Sequence, residues 1–153
     1  MRNKIVIAVA TVLGAGFFPV ASGTFASLLA AGFFWLVLLA ETPLQLIAIS
    51  MCALGGFLTA GRAERLLGKD DPREVVIDEV CGMWLALLWV PPDPLALGTA
   101  FLLFRIFDIC KIPPAGKIEE LKGSAGIMGD DLICGLYANL ICQVVFRLIL
   151  KMG

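Results

Sequence analysis

The sequence predicts an all-α fold, that of a polytopic helical membrane protein, and three observations carry this prediction. The 153-residue chain is 59% hydrophobic and has a mean hydropathy of +0.93, whereas soluble domains are about 45–50% apolar. One domain of this length, residues 1–153, has too much surface for its volume to hide that apolar content from water. The apolar residues also fall into runs, and the charged residues lie between the runs. A soluble helical oligomer is the alternative.

The chain contains six apolar runs, at residues 5–20, 24–40, 44–60, 80–90, 95–107 and 132–150. Only the last reaches the ~20 residues that a helix needs to cross hydrocarbon. The second and third would be helices about 25 Å long, which span with slight thinning of the bilayer. The fourth and fifth are shorter and predict a shallow or re-entrant hairpin. The first run lacks a convincing signal-peptide cleavage site, so we expect it to be retained.

The connections between these runs differ sharply in charge. Glu41-Thr42-Pro43 and residues 91–94 contain no Lys or Arg, whereas residues 61–79 and 105–131 carry four each, together with eleven of the thirteen carboxylates. The positive-inside bias places the two charged connections on the cytoplasmic side, with the N-terminus beside them, and leaves the side of the C-terminus open. We therefore expect a functional site on the cytoplasmic face.

The composition excludes several kinds of chemistry. There is no histidine, which removes Ser-His-Asp catalysis and histidine-based metal sites. The spacing from Cys142 to Arg147 is one residue short of a cysteine-phosphatase loop, and no Asp-x-Asp triplet or GxxxxGK loop occurs. A net charge of −1 gives no basic field for nucleic acid. Carboxylates with Lys and Arg are the functional groups left.

Two pairs of adjacent carboxylates, Asp78-Glu79 and Asp130-Asp131, lie where charged connections meet apolar runs. Adjacent carboxylates repel each other, and Mg²⁺ is a cation that such oxygen ligands favour. The alternative is that acids in a first helical turn interact with the free N–H groups there. Either pair alone is explained best by the helix end. Two pairs on one face, in a chain without other catalytic candidates, favour a metal site.

Arg105, Asp108 and Lys111 recur every three residues, which places them within one 120° face of a helix. Asp108 is then a further candidate metal ligand, and Arg105 and Lys111 are candidates for holding phosphate oxygens. The alternative is an ion pair with a lysine that extends to the interface. Charges this deep in an apolar helix need partners or a hydrated cavity in either case.

Two segments of small residues give weaker indications of their roles. Residues 123–129, with sequence Gly-Ser-Ala-Gly-Ile-Met-Gly, could form an anion-binding nest of backbone N–H groups. For residues 23–27 we favour a structural role, with Thr24 as a helix N-cap and small side chains that allow close helix contact.

Four blocks of sequence together resemble the phosphatidylglycerophosphatase A family. They are Gly-Thr-Phe-Ala-Ser at 23–27, Val-Ile-Asp-Glu-Val-Cys-Gly-Met-Trp at 76–84, Phe-Arg-Ile-Phe-Asp-Ile-Cys-Lys at 104–111 and Gly-Ile-Met-Gly-Asp-Asp at 126–131. The resemblance implies a Mg²⁺-dependent enzyme of the bacterial inner membrane, multi-pass and with its active site facing the cytoplasm, that hydrolyses phosphatidylglycerophosphate to phosphatidylglycerol and phosphate.

The resemblance also implies which residues form the active centre. We expect Asp78, Glu79, Asp108 and Asp131 to be catalytic, and the metal ligands to be these four together with Asp130. Arg105 and Lys111 would bind the substrate, and Asp131 or Glu79 would position or deprotonate the attacking water.

Other classes of function stay open at this stage. The main alternative is a small ion-coupled transporter or channel subunit whose intramembrane charges form an ion path. A CDP-alcohol phosphotransferase is disfavoured because its Asp-Gly start and Arg-rich helix are absent. A non-catalytic helical assembly module is the third alternative. The expected partners are the lipid substrate and the membrane, and the sequence leaves homo-oligomerisation open.

Overall fold

The computed structural model describes residues 2–38 and 42–151, and within these ranges all regular secondary structure is helical. The all-α prediction is therefore confirmed. The described ranges contain seven α-helices: α1 (Arg2–Ala10), α2 (Ser22–Leu38), α3 (Thr42–Leu67), α4 (Ile77–Leu87), α5 (Pro94–Cys110), α6 (Ala115–Glu119) and α7 (Ser124–Cys142). A 3₁₀ turn (Ala15–Phe17) follows α1, and a π-helical segment (Gln143–Ile149) extends α7.

Two helices among the described residues are long and apolar enough to cross a membrane. They are Thr42–Leu67 and Ser124–Ile149, with 26 residues each and hydropathies of 1.7 and 1.9 in their most apolar windows. Only 22% and 33% of those windows is buried within the protein. The third apolar run is thus part of a longer helix than expected, because α3 continues into the charged connection. Glu41, assigned to the opposite face, lies outside the described residues.

The first apolar run does not form a single helix. It breaks after Ala10, where Val12 and Leu13 adopt positive φ angles of 49° and 55°. The Ala10 carbonyl accepts a hydrogen bond from the Val76 N–H at 3.0 Å, just before α4 begins. Leu13 is 90% exposed, so the segment after α1 presents apolar side chains at the protein surface.

Helices α4 and α5 form a hairpin whose turn is held by α7. The side chain of Asn139 donates to the Ala86 and Leu88 carbonyls at 3.1 and 2.7 Å, and Gln143 donates to Leu88 at 2.8 Å. Further along, Arg147 donates two hydrogen bonds to the Trp89 carbonyl, at 3.0 and 2.6 Å. These side chains satisfy backbone carbonyls that have no helical partner, which irregular backbone requires in apolar surroundings.

The α4–α7 contact is made through glycine. A Cβ added at Gly135 would overlap the Gly82 carbonyl, and one added at Gly82 would lie 2.6 Å from the Asp131 carbonyl oxygen. Only glycine allows the two backbones to approach this closely. Phe104 of α5 is fully buried against the same point. The starts of α4 and α7 are therefore held side by side.

Candidate active site

The two carboxylate pairs meet because of where the glycines lie in each helix. Asp78 precedes Gly82 by four residues, and Asp131 precedes Gly135 by four. Residues four apart share a helix face one turn apart, so the α4–α7 glycine contact sets Asp78 against Asp131. This repeated spacing of an acid and a glycine is a signal in the sequence that the prediction missed.

The structure brings all five acids predicted as metal ligands together. They form two groups in which ligand oxygens from all members lie within 4.8 Å of one another: Asp78, Glu79 and Asp131 in one, and Asp108, Asp130 and Asp131 in the other. Asp131 belongs to both groups. Its side chain and those of Asp78 and Asp130 are buried.

A helix end accounts for the position of only one of the two pairs. Asp78 and Glu79 lie in the first turn of α4, although no side-chain cap hydrogen bond forms there, whereas Asp130 and Asp131 lie beyond the first turn of α7. The predicted anion-binding nest is wrong, because residues 124–129 are the helical start of α7. The Ser124 hydroxyl there accepts a hydrogen bond from the Gly61 N–H at 2.8 Å, which attaches α7 to α3.

The carboxylate oxygens of this site are suited to bind a cation. One oxygen each of Asp78, Glu79 and Asp131 is buried and has no hydrogen-bond partner among the described residues. Anionic oxygens buried without partners are costly, and a bound divalent ion would satisfy them. Oxygen-only ligand sets of this kind suit Mg²⁺. The residues present therefore fit the group that the sequence predicted.

Two cations flank Asp108, one on each oxygen. Arg105 Nη1 lies 2.7 Å from Asp108 Oδ2, and Lys111 Nζ lies 3.4 Å from Oδ1. Lys111 also forms an ion pair with Asp130 and lies 3.5 Å from Glu119. The predicted neighbours are thus in contact, and the ion pair offered as the alternative explanation is present too.

The helical position predicted for Lys111 is wrong. Helix α5 ends at Cys110, and Lys111 is its C-cap in the left-handed conformation, with φ 48° and ψ 52°. This turn directs Lys111 towards α7. Burial acts to lower the pKa of the Lys111 ammonium, but the hydrogen bond to Asp130 and the nearby carboxylate charges outweigh burial and raise the pKa above its ordinary value. Lys111 is therefore a permanent cation at the acidic cluster.

A large cavity of about 980 Å³ opens over this cluster and is lined by both charged connections. Nine of its lining residues are acidic and five are basic, a formal charge of −4. The acids are Glu64, Asp70, Asp71, Asp78, Glu79, Asp108, Glu119, Asp130 and Asp131, and the bases are Arg65, Lys69, Arg73, Lys111 and Lys122. An anionic substrate would be repelled from such a cavity unless bound cations offset the charge.

The rim of the large cavity includes the loop between α3 and α4. Lys69 Nζ lies 2.6 Å from Glu74 Oε1, and this hydrogen bond lowers the pKa of Glu74. Burial, together with the charge of Glu119, raises the pKa of Asp71. The two charged connections therefore interact electrostatically across the cavity.

A small cavity of about 290 Å³ adjoins the first and is lined by residues of 18–24 with Arg73, Glu79 and Arg105. Gly23 and Thr24 are the members of residues 23–27 that line this cavity. Ser27 Oγ lies 3.4 Å from Arg105 Nη1, and a Cβ at Gly23 would overlap Glu79 Oε1. The prediction of Thr24 as an N-cap is wrong, because α2 begins at Ser22, whose hydroxyl donates to the Arg73 carbonyl at 2.7 Å.

Fold and site together define a helical protein with an apolar bundle and a carboxylate-rich, cation-flanked cavity at one end. The chain belongs to the phosphatidylglycerophosphatase A family, whose model matches residues 8–146. The recognition made from four sequence blocks is thereby confirmed, and so is the prediction of an enzyme, because the family is one of phosphoric monoester hydrolases.

Three relatives span most of the chain. A Bacteroides thetaiotaomicron protein, named provisionally as a phosphatidylinositol-3-phosphatase, is 36% identical over 90% of this chain and 91% of its own. Phosphatidylglycerophosphatase A of Escherichia coli is 29% identical over 80% of this chain and 73% of its own. Phosphatidylglycerophosphatase A of Haemophilus influenzae is 32% identical over 84% of this chain and 80% of its own. No solved structure matches the chain.

Proposed function

We propose that the protein is a Mg²⁺-dependent membrane phosphatase that hydrolyses phosphatidylglycerophosphate to phosphatidylglycerol and phosphate. One observation carries this proposal: two carboxylate groups that share Asp131 lie beside Lys111 in a cavity that both charged connections line. Family membership supports the reaction, and two of the three relatives bear the name of this activity.

The two carboxylate groups would hold one or two Mg²⁺ ions. Asp78, Glu79 and Asp131 would form one set of ligands and Asp108, Asp130 and Asp131 the other. Bound Mg²⁺ would polarise the phosphoryl oxygens and lower the pKa of a coordinated water. Asp108 and Asp130 are already paired with cations, which fixes their side chains in the absence of substrate.

The chain's own cations and acids would carry out the remaining work. Lys111 would bind the terminal phosphate, because its ammonium group can exchange a carboxylate partner for a phosphoryl oxygen. Arg105 would hold Asp108 and contact the substrate from the small cavity. Glu79 or Asp131 would position the attacking water or accept its proton.

The bilayer would surround the exposed apolar faces of α2, α3, α5 and α7. On α3 alone Leu46, Met51, Leu54 and Leu58 are between 42% and 66% exposed. We propose that α2, α3 and the extended α7 cross the inner membrane and that the α4–α5 hairpin enters between them. The cavity end would face the cytoplasm, as the excess of Lys and Arg there indicates.

Phosphate release from the purified full-length chain in detergent micelles tests this function. With phosphatidylglycerophosphate we expect release in Mg²⁺ and almost none after EDTA, with recovery when Mg²⁺ is restored. A transporter or channel subunit would release no phosphate in either condition. Phosphatidylinositol 3-phosphate is assayed in parallel, because one relative bears the name of that activity.

A further inference from the structure

The two cavities at this end of the bundle share a wall but differ in charge. Arg73 and Glu79 line both of them. The small cavity adds Arg105, so its charged lining consists of two arginines and one glutamate, a formal charge of +1 against −4 for the large cavity. In the absence of a metal ion, the small cavity is therefore the more favourable of the two for an anion.

Arg105 lines the small cavity and has a donor group without a partner among the described residues. Its Nη1 is held by Asp108 at 2.7 Å and Ser27 at 3.4 Å, whereas its Nε–H is buried and lacks a partner among the described residues. A buried guanidinium N–H without an acceptor is costly, and a phosphate oxygen is an acceptor that arginine binds well. The guanidinium group of Arg73 makes no hydrogen bond or ion pair within the described residues.

The first turn of α2 forms another part of the small cavity, through Ser22, Gly23 and Thr24. The first helical hydrogen bond of α2 runs from the Phe25 N–H to the Ala21 carbonyl, at 2.9 Å. The N-terminal amides of this 17-residue helix add partial positive charge beside the two arginines. Phe18 also lines this cavity and is 43% exposed, which gives the cavity an apolar edge.

We propose that the small cavity binds the phosphodiester of a lipid whose terminal phosphomonoester lies in the large cavity. This inference rests on the proposed function. Phosphatidylglycerophosphate and phosphatidylinositol 3-phosphate each carry a diester next to the diacylglycerol and a monoester across a polyol. Phosphatidic acid carries the monoester alone. The enzyme thus selects membrane lipids with two phosphates, and Arg73 and Arg105 are the residues that recognise the second.

Two substrates that differ in the diester test this assignment in mixed micelles. For the wild-type protein we expect kcat/KM for phosphatidylglycerophosphate to exceed that for phosphatidic acid. In Arg73→Gln the ratio of the two kcat/KM values falls about tenfold, as expected for a lost charged hydrogen bond. Arg65→Gln is the matched control, since Arg65 is an exposed arginine like Arg73 but lines only the large cavity. Its ratio stays at the wild-type value.

Inhibition by phosphatidylglycerol is the second measurement, because this lipid has the diester and no monoester. We expect phosphatidylglycerol to compete with phosphatidylglycerophosphate for the wild-type protein. In Arg73→Gln the inhibition constant of phosphatidylglycerol should rise about tenfold. Diacylglycerol, which has no phosphate, is the control for effects of the lipid tails alone. A substrate ratio and an inhibition constant that Arg73→Gln leaves unchanged would overturn the assignment. A wild-type protein that hydrolyses neither lipid would instead contradict the proposed function, so the two failures are distinct.

Discussion

Gly23, near the start of α2, lies directly against the carboxylate of Glu79 in α4. A Cβ at Gly23 would overlap Glu79 Oε1, so the absence of a side chain there determines where this carboxylate lies. Glu79 is a member of one carboxylate group and part of the wall between the two cavities. A backbone contact in α2 thereby sets the position of an acid in the candidate active site.

Gly23→Ala should therefore impair catalysis more than folding. The added methyl group displaces Glu79, and a displacement of about 1 Å in an active site costs up to ~100-fold in rate. Phosphate release and the thermal unfolding midpoint are measured on the same preparation. The matched control is Gly32→Ala in the same helix, where a Cβ meets nothing within 4 Å. Equal turnover in the two variants would contradict this role of Gly23.

Gly135→Ala should separate α4 from α7. Its Cβ would overlap the Gly82 carbonyl, and overpacking of this kind costs about 1–3 kcal/mol. Because the same contact aligns Asp78 with Asp131, we also expect a higher Mg²⁺ concentration for half-maximal activity. Gly98→Ala in α5 is the control, since nothing lies within 4 Å of its Cβ. If Gly135→Ala has the Mg²⁺ dependence of the wild-type protein, the glycine contact does not position these acids.

Lys111→Met should reduce kcat/KM by about 100-fold, as is typical when one charged donor to a transition state is removed. The side chain keeps its length but loses the contacts to Asp130 and Asp108. Lys117→Met serves as the control, because Lys117 is exposed and lies outside both cavities. Similar kinetics for the two variants would show that Lys111 has no part in the reaction.

Asn139→Leu should lower the stability of the protein without changing turnover at the candidate active site. The Asn139 side chain donates hydrogen bonds to two carbonyls, one at the end of α4 and one in the hairpin turn. Loss of these hydrogen bonds should lower the free energy of unfolding by about 1–3 kcal/mol. Thermal unfolding reports this loss, while turnover at low temperature stays at the wild-type level. Thr99→Val is the comparison, since its exposed hydroxyl donates only within α5. An unchanged unfolding midpoint in Asn139→Leu would contradict this account of the turn.

The sequence was sufficient to predict the helical fold class and to select the acids that the structure brings together. Carboxylates within apolar runs or at their boundaries are costly to bury, so Asp78, Asp108 and Asp131 could be singled out by residue type and position together. Their separation into two groups was missed, although the spacing of acid and glycine is present in the sequence, because it depends on where α4 meets α7. Helices that are apolar on every side have no hydrophobic face to reveal that contact. Gly82 and Gly135 determine it, and a glycine does not show in a sequence what packs against it.

Two errors have local physical causes. The prediction for Lys111 assumed that α5 continues, whereas the helix ends one residue earlier in a left-handed cap. The nest predicted at residues 123–129 assumed a loop, whereas small residues there let α7 begin close to α3 at Gly61.

The central claim is that the acids around Asp131 hold the Mg²⁺ on which phosphate release depends. The most direct test compares Asp131→Asn, which keeps shape and removes charge, with Glu120→Gln, an exposed acid outside both cavities. Phosphate release from phosphatidylglycerophosphate is measured across a Mg²⁺ titration. We predict that Asp131→Asn loses about 100-fold or more in turnover and needs more Mg²⁺, while Glu120→Gln follows the wild-type curve. Wild-type turnover and Mg²⁺ dependence in Asp131→Asn would contradict the claim.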